Sequence, residues 1–467
     1  MKPYMDIHFL LSTQTSQTLY KQFARECPII DYHSHFHPRE IADDVQFDNL
    51  TKLWLGADEN RWRLMRAGGI EEELITGDTS DKDKFLAYAS VVGKSLGNPI
   101  AHWTNMELAR YFDYHKPLSS ATADEVWEMT TEKLMDTAFS TRRIIEISNV
   151  SLICTSDDPA SDLKWHAAIA ADSFFKTSVL PTFCPDSILN IEMNRFADYI
   201  SRLSTVSGKA IASLSDMLDV LKTRMDFFQA NGCKLSDHNI EKFIYAPSSI
   251  ENIDDIFQKR MAGGDMELTE KEINEYKTFM MLFCASEYAK RKWTMQLHLG
   301  RHRDTNTKMK ENLGTKSGFD SIAQGSSIDA LRAFLDMLAN TDLLPKMILS
   351  TANPNEYNAI NALVACFQDS PSVMMVSQGA PWGYNECYDS MKNYLAGIAA
   401  HSYFPGYIGM TTDSRSFLSF AKHEYFRRIL CDMIGSQIEN GLYPLDIIGA
   451  GEIITNICYN NAAKMIE

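Results

Sequence analysis

The chain has 467 residues, 45% of them hydrophobic, and a formal net charge of −16. That length suits two domains or one large α/β barrel with insertions, and the acidity argues against a nucleic-acid surface or attraction to anionic membranes. Nine cysteines without CxxC spacing fit reduced thiols in the cytoplasm, the N-terminus lacks the features of a secretory signal, and no run of about 18 apolar residues could cross a bilayer.

The first apolar run, residues 28–32, leads into His33 and His35. On a β-strand, side chains two apart share a face, so this HxH pair would converge two imidazoles on one point. Two such nitrogens make half a site for a divalent transition metal, although a loop after a strand could carry the same residues for no such reason. Residues 38–149 read as largely helical and aromatic, with clear helices at 60–67 and 105–114. Further β-branched runs follow at 150–155, 178–183, 233–236, 294–299, 347–351, 372–377 and 407–411. Helical spacing separates them, as at 328–338 and 391–398, and a second long gap, 237–294, holds an acidic helical stretch around 267–275. Two helices, 421–438 and 453–465, close the chain.

Eight strands alternating with helices, apolar on both faces, indicate a parallel sheet closed into a distorted (β/α)8 TIM-like barrel, one domain over residues 1–467. An open doubly wound sheet competes with it, but no Gly-rich phosphate loop follows the first strand. Helical insertions after strands 1 and 4 would cover the C-terminal mouth, with 38–149 the larger cover.

Polar residues cluster at the strand ends that face this mouth. Asp157 and Asp158 follow strand 2, Asp237 and His238 follow strand 4, and His298 lies near the end of strand 5. Asn353, Asn355 and Glu356 follow strand 6, and Asp413 and Arg415 follow strand 8. Each has a structural alternative: turns or helix caps for the Asp and Asn pairs, a core histidine for His298, an ion pair for Asp413 with Arg415. Strands 1 and 8 are neighbours in an eight-stranded barrel, so His33, His35 and Asp413 would meet at one metal. Two His and one carboxylate with open positions fit Zn2+ or a similar Lewis acid.

The segments DYHSHFHP, LWLGADENRWRLMRAGGI, HWTNMELARYF, TSDDPASDLKWH, LPTFCPD, KLSDHN, QLHLG, NPNEYNA and TDSRSFLSFAKHEYFRRILCDMIG, in that order, resemble the uronate isomerases of the amidohydrolase superfamily. The resemblance implies a distorted barrel that interconverts glucuronate with fructuronate, and galacturonate with tagaturonate, through a cis-enediol. It implies His33, His35 and Asp413 as ligands of a divalent metal, Zn2+ by expectation, and Asp413, Arg415, His298 and Asp237 as catalytic positions. The partner expected is a small sugar acid, with no nucleic acid and no membrane, and with a homo-oligomer left open. A hydrolase on the same scaffold is the alternative, and a non-catalytic sugar-binding descendant a third.

The chain departs from the family where substrate should be held. Uronate isomerases carry a His-Tyr pair where this chain has Glu59-Asn60, and an Arg before Pro-Asp where it has Cys184. The run after strand 5, Arg301-His302-Arg303, and the aromatic cluster with Trp382 after strand 7 also differ. A charged Glu59 would repel a carboxylate, whereas Arg301 or Arg303 could supply a replacement cation.

Overall fold

The computed structural model describes residues 3–263, 267–323 and 327–467. Among these, seven parallel strands form one curled sheet in sequence order: β1 (Ile29–Asp31), β2 (Val150–Asp157), β3 (Ser178–Phe183), β4 (Leu235–Ile240), β5 (Thr294–Leu299), β6 (Lys346–Thr351) and β7 (Val376–Gln378). The register is continuous from β4 to β6, pairing Asn239 with His298 and His298 with Ser350.

Alternation along each strand sorts the side chains. Met295, Leu297 and Leu299 of β5, with Met347 and Leu349 of β6, pack outward into the layer of surrounding helices. Leu235, Ile348, Ile30 and Tyr32 form a second apolar cluster, stoppered by Ala462, Met465 and Ile466 of the last helix, Asn461–Ile466. One end of the sheet's interior is thus apolar and plugged. The other carries Asp237 and His298, and opens.

The expected eighth strand, 407–411, pairs into no ladder. Gly409 sits at φ +77 with its Cα so close to Ile457 that a Cβ would lie 2.3 Å from that carbonyl oxygen, and Asp413 has φ +42. Left-handed residues at its middle and just beyond its end break β geometry. The segment still runs beside the first strand: Asp413 N–H donates to the His33 carbonyl at 3.3 Å, and His35 N–H to that of Ser414 at 3.0 Å. Strand 7 starts late because Met374 at φ +51 interrupts the run. Strand 4 is displaced from 233–236 because Cys233 N–H still bonds Phe228 in the turn that ends helix Leu214–Ala230.

Residues 38–149 hold seven α-helices, Glu59–Ala67 and Pro99–Phe112 among them, where the sequence suggested 60–67 and 105–114. The acidic stretch begins as a helix only at Glu270, where Thr269 and Glu272 cap each other reciprocally. The last helical stretch is broken into Ile447–Thr455, a π-helical turn Asn456–Asn460, and Asn461–Ile466. Among the described residues no helix is long and apolar enough to cross a membrane.

Candidate active site

A cavity of about 1280 Å3 opens at the C-terminal ends of the strands. Its wall includes residues of the 38–149 helices, such as Glu59 and Trp103, besides His35, His298, Asp413 and Arg415.

His33 and His35 lie in the loop past β1, which ends at Asp31. Their convergence therefore comes from the loop rather than from a strand's two-residue period. Ser34 N–H bonds the Cys154 carbonyl on β2 while His35 N–H bonds Ser414 on the opposite side, which fixes both imidazoles. Their Nε2 atoms lie 3.3 Å and 3.1 Å from the same oxygen of Asp413, Oδ1. The other oxygen, Oδ2, accepts from Trp382 Nε1 at 2.8 Å. Asp31, fully buried below, accepts from the backbone N–H of Thr412 at 2.8 Å and from its hydroxyl at 2.5 Å.

A second triad adjoins the first. Asp237 of β4 accepts from His298 Nδ1 at 2.8 Å and from Ser156 Oγ at 2.7 Å, and its Oδ2 is 3.8 Å from His33 Nδ1. The rings of His33 and His298 are 4.3 Å apart. Burial would lower the His33 pKa, but Asp237, Asp413 and Asp31 outweigh it and lift the imidazole to about 9. Burial and the neighbouring His33 push His298 down. Asp413 is held well below the usual carboxylate range by His33 and His35, against its own burial.

Two nitrogens and one carboxylate oxygen converge here from His33, His35 and Asp413, and this cluster could hold a metal ion. The excess of negative charge that keeps a buried imidazole protonated is what a bound cation would neutralise, so the donor set fits such an ion.

Other candidates take different places. His238 points away from the cavity, its ring 5.6 Å from that of Tyr288, and burial pushes its pKa down to about 4. Asp157 is the last residue of β2 and accepts from Thr155, while Asp158 accepts from Ser187 and Tyr199. Asn353 caps the turn Pro354–Glu356, and Glu356 accepts from Thr351. Arg415 is exposed on the cavity wall and, among the described residues, makes no ion pair with Asp413. Cys184 lines the cavity, its thiol pushed up by burial and then by Asp186 and Asp237.

Glu59 does not stand alone on the cavity wall: it is paired with Arg301 at 3.1 Å. Arg301 and Arg303 both bond Asp320 at 2.8 Å, and His302 turns to Glu241. Sequence reasoning missed Asp320, Ser156, and the buried pair Lys422–Glu386, in which Lys422 also donates to the Thr412 carbonyl at 3.0 Å. Asp320 follows no strand of the barrel, and Lys422 sits within a helix, so position along the chain carried no signal for either.

The glucuronate isomerase family model matches residues 1–466. The uronate isomerases of Lachnoclostridium phytofermentans and Lachnospira eligens are each 45% identical over 464 residues, covering 99% of this chain and 99% of their own length. The crystal structure of uronate isomerase from Thermotoga maritima superposes with a TM-score of 0.93 at 29% identity, covering both chains completely. That of glucuronate isomerase from Caulobacter crescentus, at 23% identity and a TM-score of 0.90, shares the fold.

Proposed function

The chain belongs to the glucuronate isomerase family, and from that premise we propose how its cavity interconverts D-glucuronate with D-fructuronate, and D-galacturonate with D-tagaturonate. The observation that carries the proposal is the meeting of the buried His33 with His35 and Asp413, the latter two on the wall of a cavity of about 1280 Å3. His33, His35 and Asp413 would hold one divalent metal, Zn2+ by the nitrogen-rich donor set. Such an ion supplies Lewis acidity toward sugar oxygens.

Isomerisation moves a proton from C2 to C1, with the hydroxyl proton on O2 passing to O1, through a cis-enediol. It needs a base at C2 and positive charge near the developing enediolate. Asp413 is assigned the base and Arg415, exposed on the cavity wall, the stabilising cation. A second reading has a specific observation behind it. Both oxygens of Asp413 are occupied, whereas His298 donates Nδ1–H to Asp237 and keeps Nε2 open as an acceptor. That tautomer is the one a histidine base uses, with Asp237 orienting it. The nine free thiols support a cytoplasmic location.

Proton NMR in D2O tests the activity. D-Glucuronate and D-galacturonate should each give the matching ketose, with solvent deuterium entering at C1 or C2. A reaction that instead incorporates water into a cleaved product would identify a hydrolase.

A further inference from the structure

We infer that Arg301, gripped between Glu59 and Asp320, is the residue that selects for the carboxylate of the sugar acid, and that Glu59 tempers its grip. This rests on the uronate isomerase reading for the identity of the ligand.

Three separate segments build the arrangement. After β5, Gly300 turns at φ +80 and Arg301–His302 pairs antiparallel with Ser321–Ile322, which brings Asp320 alongside. Asp320 is nearly inaccessible, and its carboxylate accepts from Arg301 Nε and Arg303 Nη1, both at 2.8 Å, and from Asp304 N–H at 2.8 Å. Its backbone carbonyl accepts from Arg63 at 2.6 Å and from Tyr384 at 2.7 Å. Asp320 is therefore immobilised from every side and anchors two guanidiniums at the cavity wall.

Glu59 lies in the first turn of helix Glu59–Ala67 and reaches Arg301 Nη2 at 3.1 Å. Arg301 thus spends Nε on Asp320 and Nη2 on Glu59, which leaves Nη1 without a partner among the described residues. A guanidinium serving structure alone would have no need to face the cavity, yet Arg301 and Glu59 both line it together with Asp413. Asp413 is near enough that its charge helps raise the Arg301 pKa, against burial.

A carboxylate is best held by two parallel N–H bonds from one guanidinium edge. On Arg301 that edge is Nη1 with Nη2, so an incoming carboxylate shares Nη2 with Glu59 and meets that carboxylate's negative charge beside it. Two opposite expectations follow for the two partners. Removing the guanidinium should destroy selection for a carboxylate, whereas neutralising Glu59 should strengthen it.

The test measures direct binding by calorimetry, with two ligands that cannot isomerise. L-Gulonate is D-glucuronate with its aldehyde reduced, and D-glucitol is the same chain with the carboxylate also replaced by CH2OH. In Arg301→Met the Kd of L-gulonate should rise by about tenfold or more, the scale of a lost charged fork, with D-glucitol within about twofold. In Glu59→Gln, an isosteric change, L-gulonate should bind several-fold more tightly, and Glu59→Gln/Arg301→Met should lose that gain. Equal weakening of both ligands in Arg301→Met, or weaker L-gulonate binding in Glu59→Gln, overturns the inference. Because binding is read without turnover, a wild-type protein that binds L-gulonate but isomerises no uronate refutes the enzymatic reading alone.

Discussion

His33 and His35 approach the same oxygen of Asp413 within 3.3 Å, so each imidazole is one of the three donors that converge there among the described residues. Replacing either by Ala leaves two donors, and we expect metal content by elemental analysis to fall well below one per chain in both variants. Full occupancy in both would remove the ligand assignment. The base is decided by a second pair. If Asp413 takes the C2 proton, a metal-loaded Asp413→Asn should lose about 10²–10⁴-fold in kcat, the range for a lost general base. If His298 takes it, His298→Asn should show that loss and stop deuterium entry at C2 while Asp413→Asn keeps it.

At the scale of elements, the segment that carries Asp413 has no ladder to hold it, and Asp31 stands in for one. Its carboxylate takes two hydrogen bonds from Thr412, with His423 Nε2 at 3.9 Å. Asp31→Ala should cost roughly 2–5 kcal/mol, since bonds to a buried charge are worth about 1.5–3 kcal/mol each. Met465→Ala, at the plugged end of the sheet, should cost a similar 2–5 kcal/mol through its cavity. Denaturant melts would show both losses, but only Asp31→Ala should lower metal occupancy. Equal occupancy in the two variants would mean that Asp31 supports the fold and not the site.

The same segment shows what the sequence could convey. Runs of apolar β-branched residues marked β2, β3, β5 and β6 to within a residue or two, because period and burial act locally. The eighth strand was misread because a close contact between Gly409 and Ile457, 48 positions on, decides it. The HxH, His298 and Asp413 stood out as polar residues at strand ends, and the structure brings them together. The pairing of Glu59 with Arg301 across 242 positions had no local signature, and two charges that each looked anomalous prove to be partners.

At the scale of the whole molecule, several buried acids share one direction of shift. Burial, their largest cause, lifts Asp157 to about 6 and Asp186 and Glu386 to about 7, with Asp237 also raising Asp186 and Lys422 partly opposing the rise of Glu386. In the unfolded chain such carboxyls release their protons near pH 4. The folded state therefore binds more protons between about pH 4 and 7, and stability falls as pH rises through that window. Asp237 and Asp413 are shifted the opposite way, so their contribution is complete above pH 4 and stays constant in this range. His33, raised to about 9, adds a further loss at alkaline pH, but a bound metal takes the place of its proton. We therefore expect Tm to drop by about 2–5 °C from pH 5 to pH 7.5, given about 1 °C per kcal/mol for a chain this long. The slope should flatten in Asp186→Asn, where one of the three acids no longer ionises. In chelator-treated protein the decline should continue from about pH 6.5 to pH 9, where metal-loaded protein levels off. A Tm that climbs from pH 5 to 7.5 would mean these acids are ionised in the folded protein and that burial does not govern them.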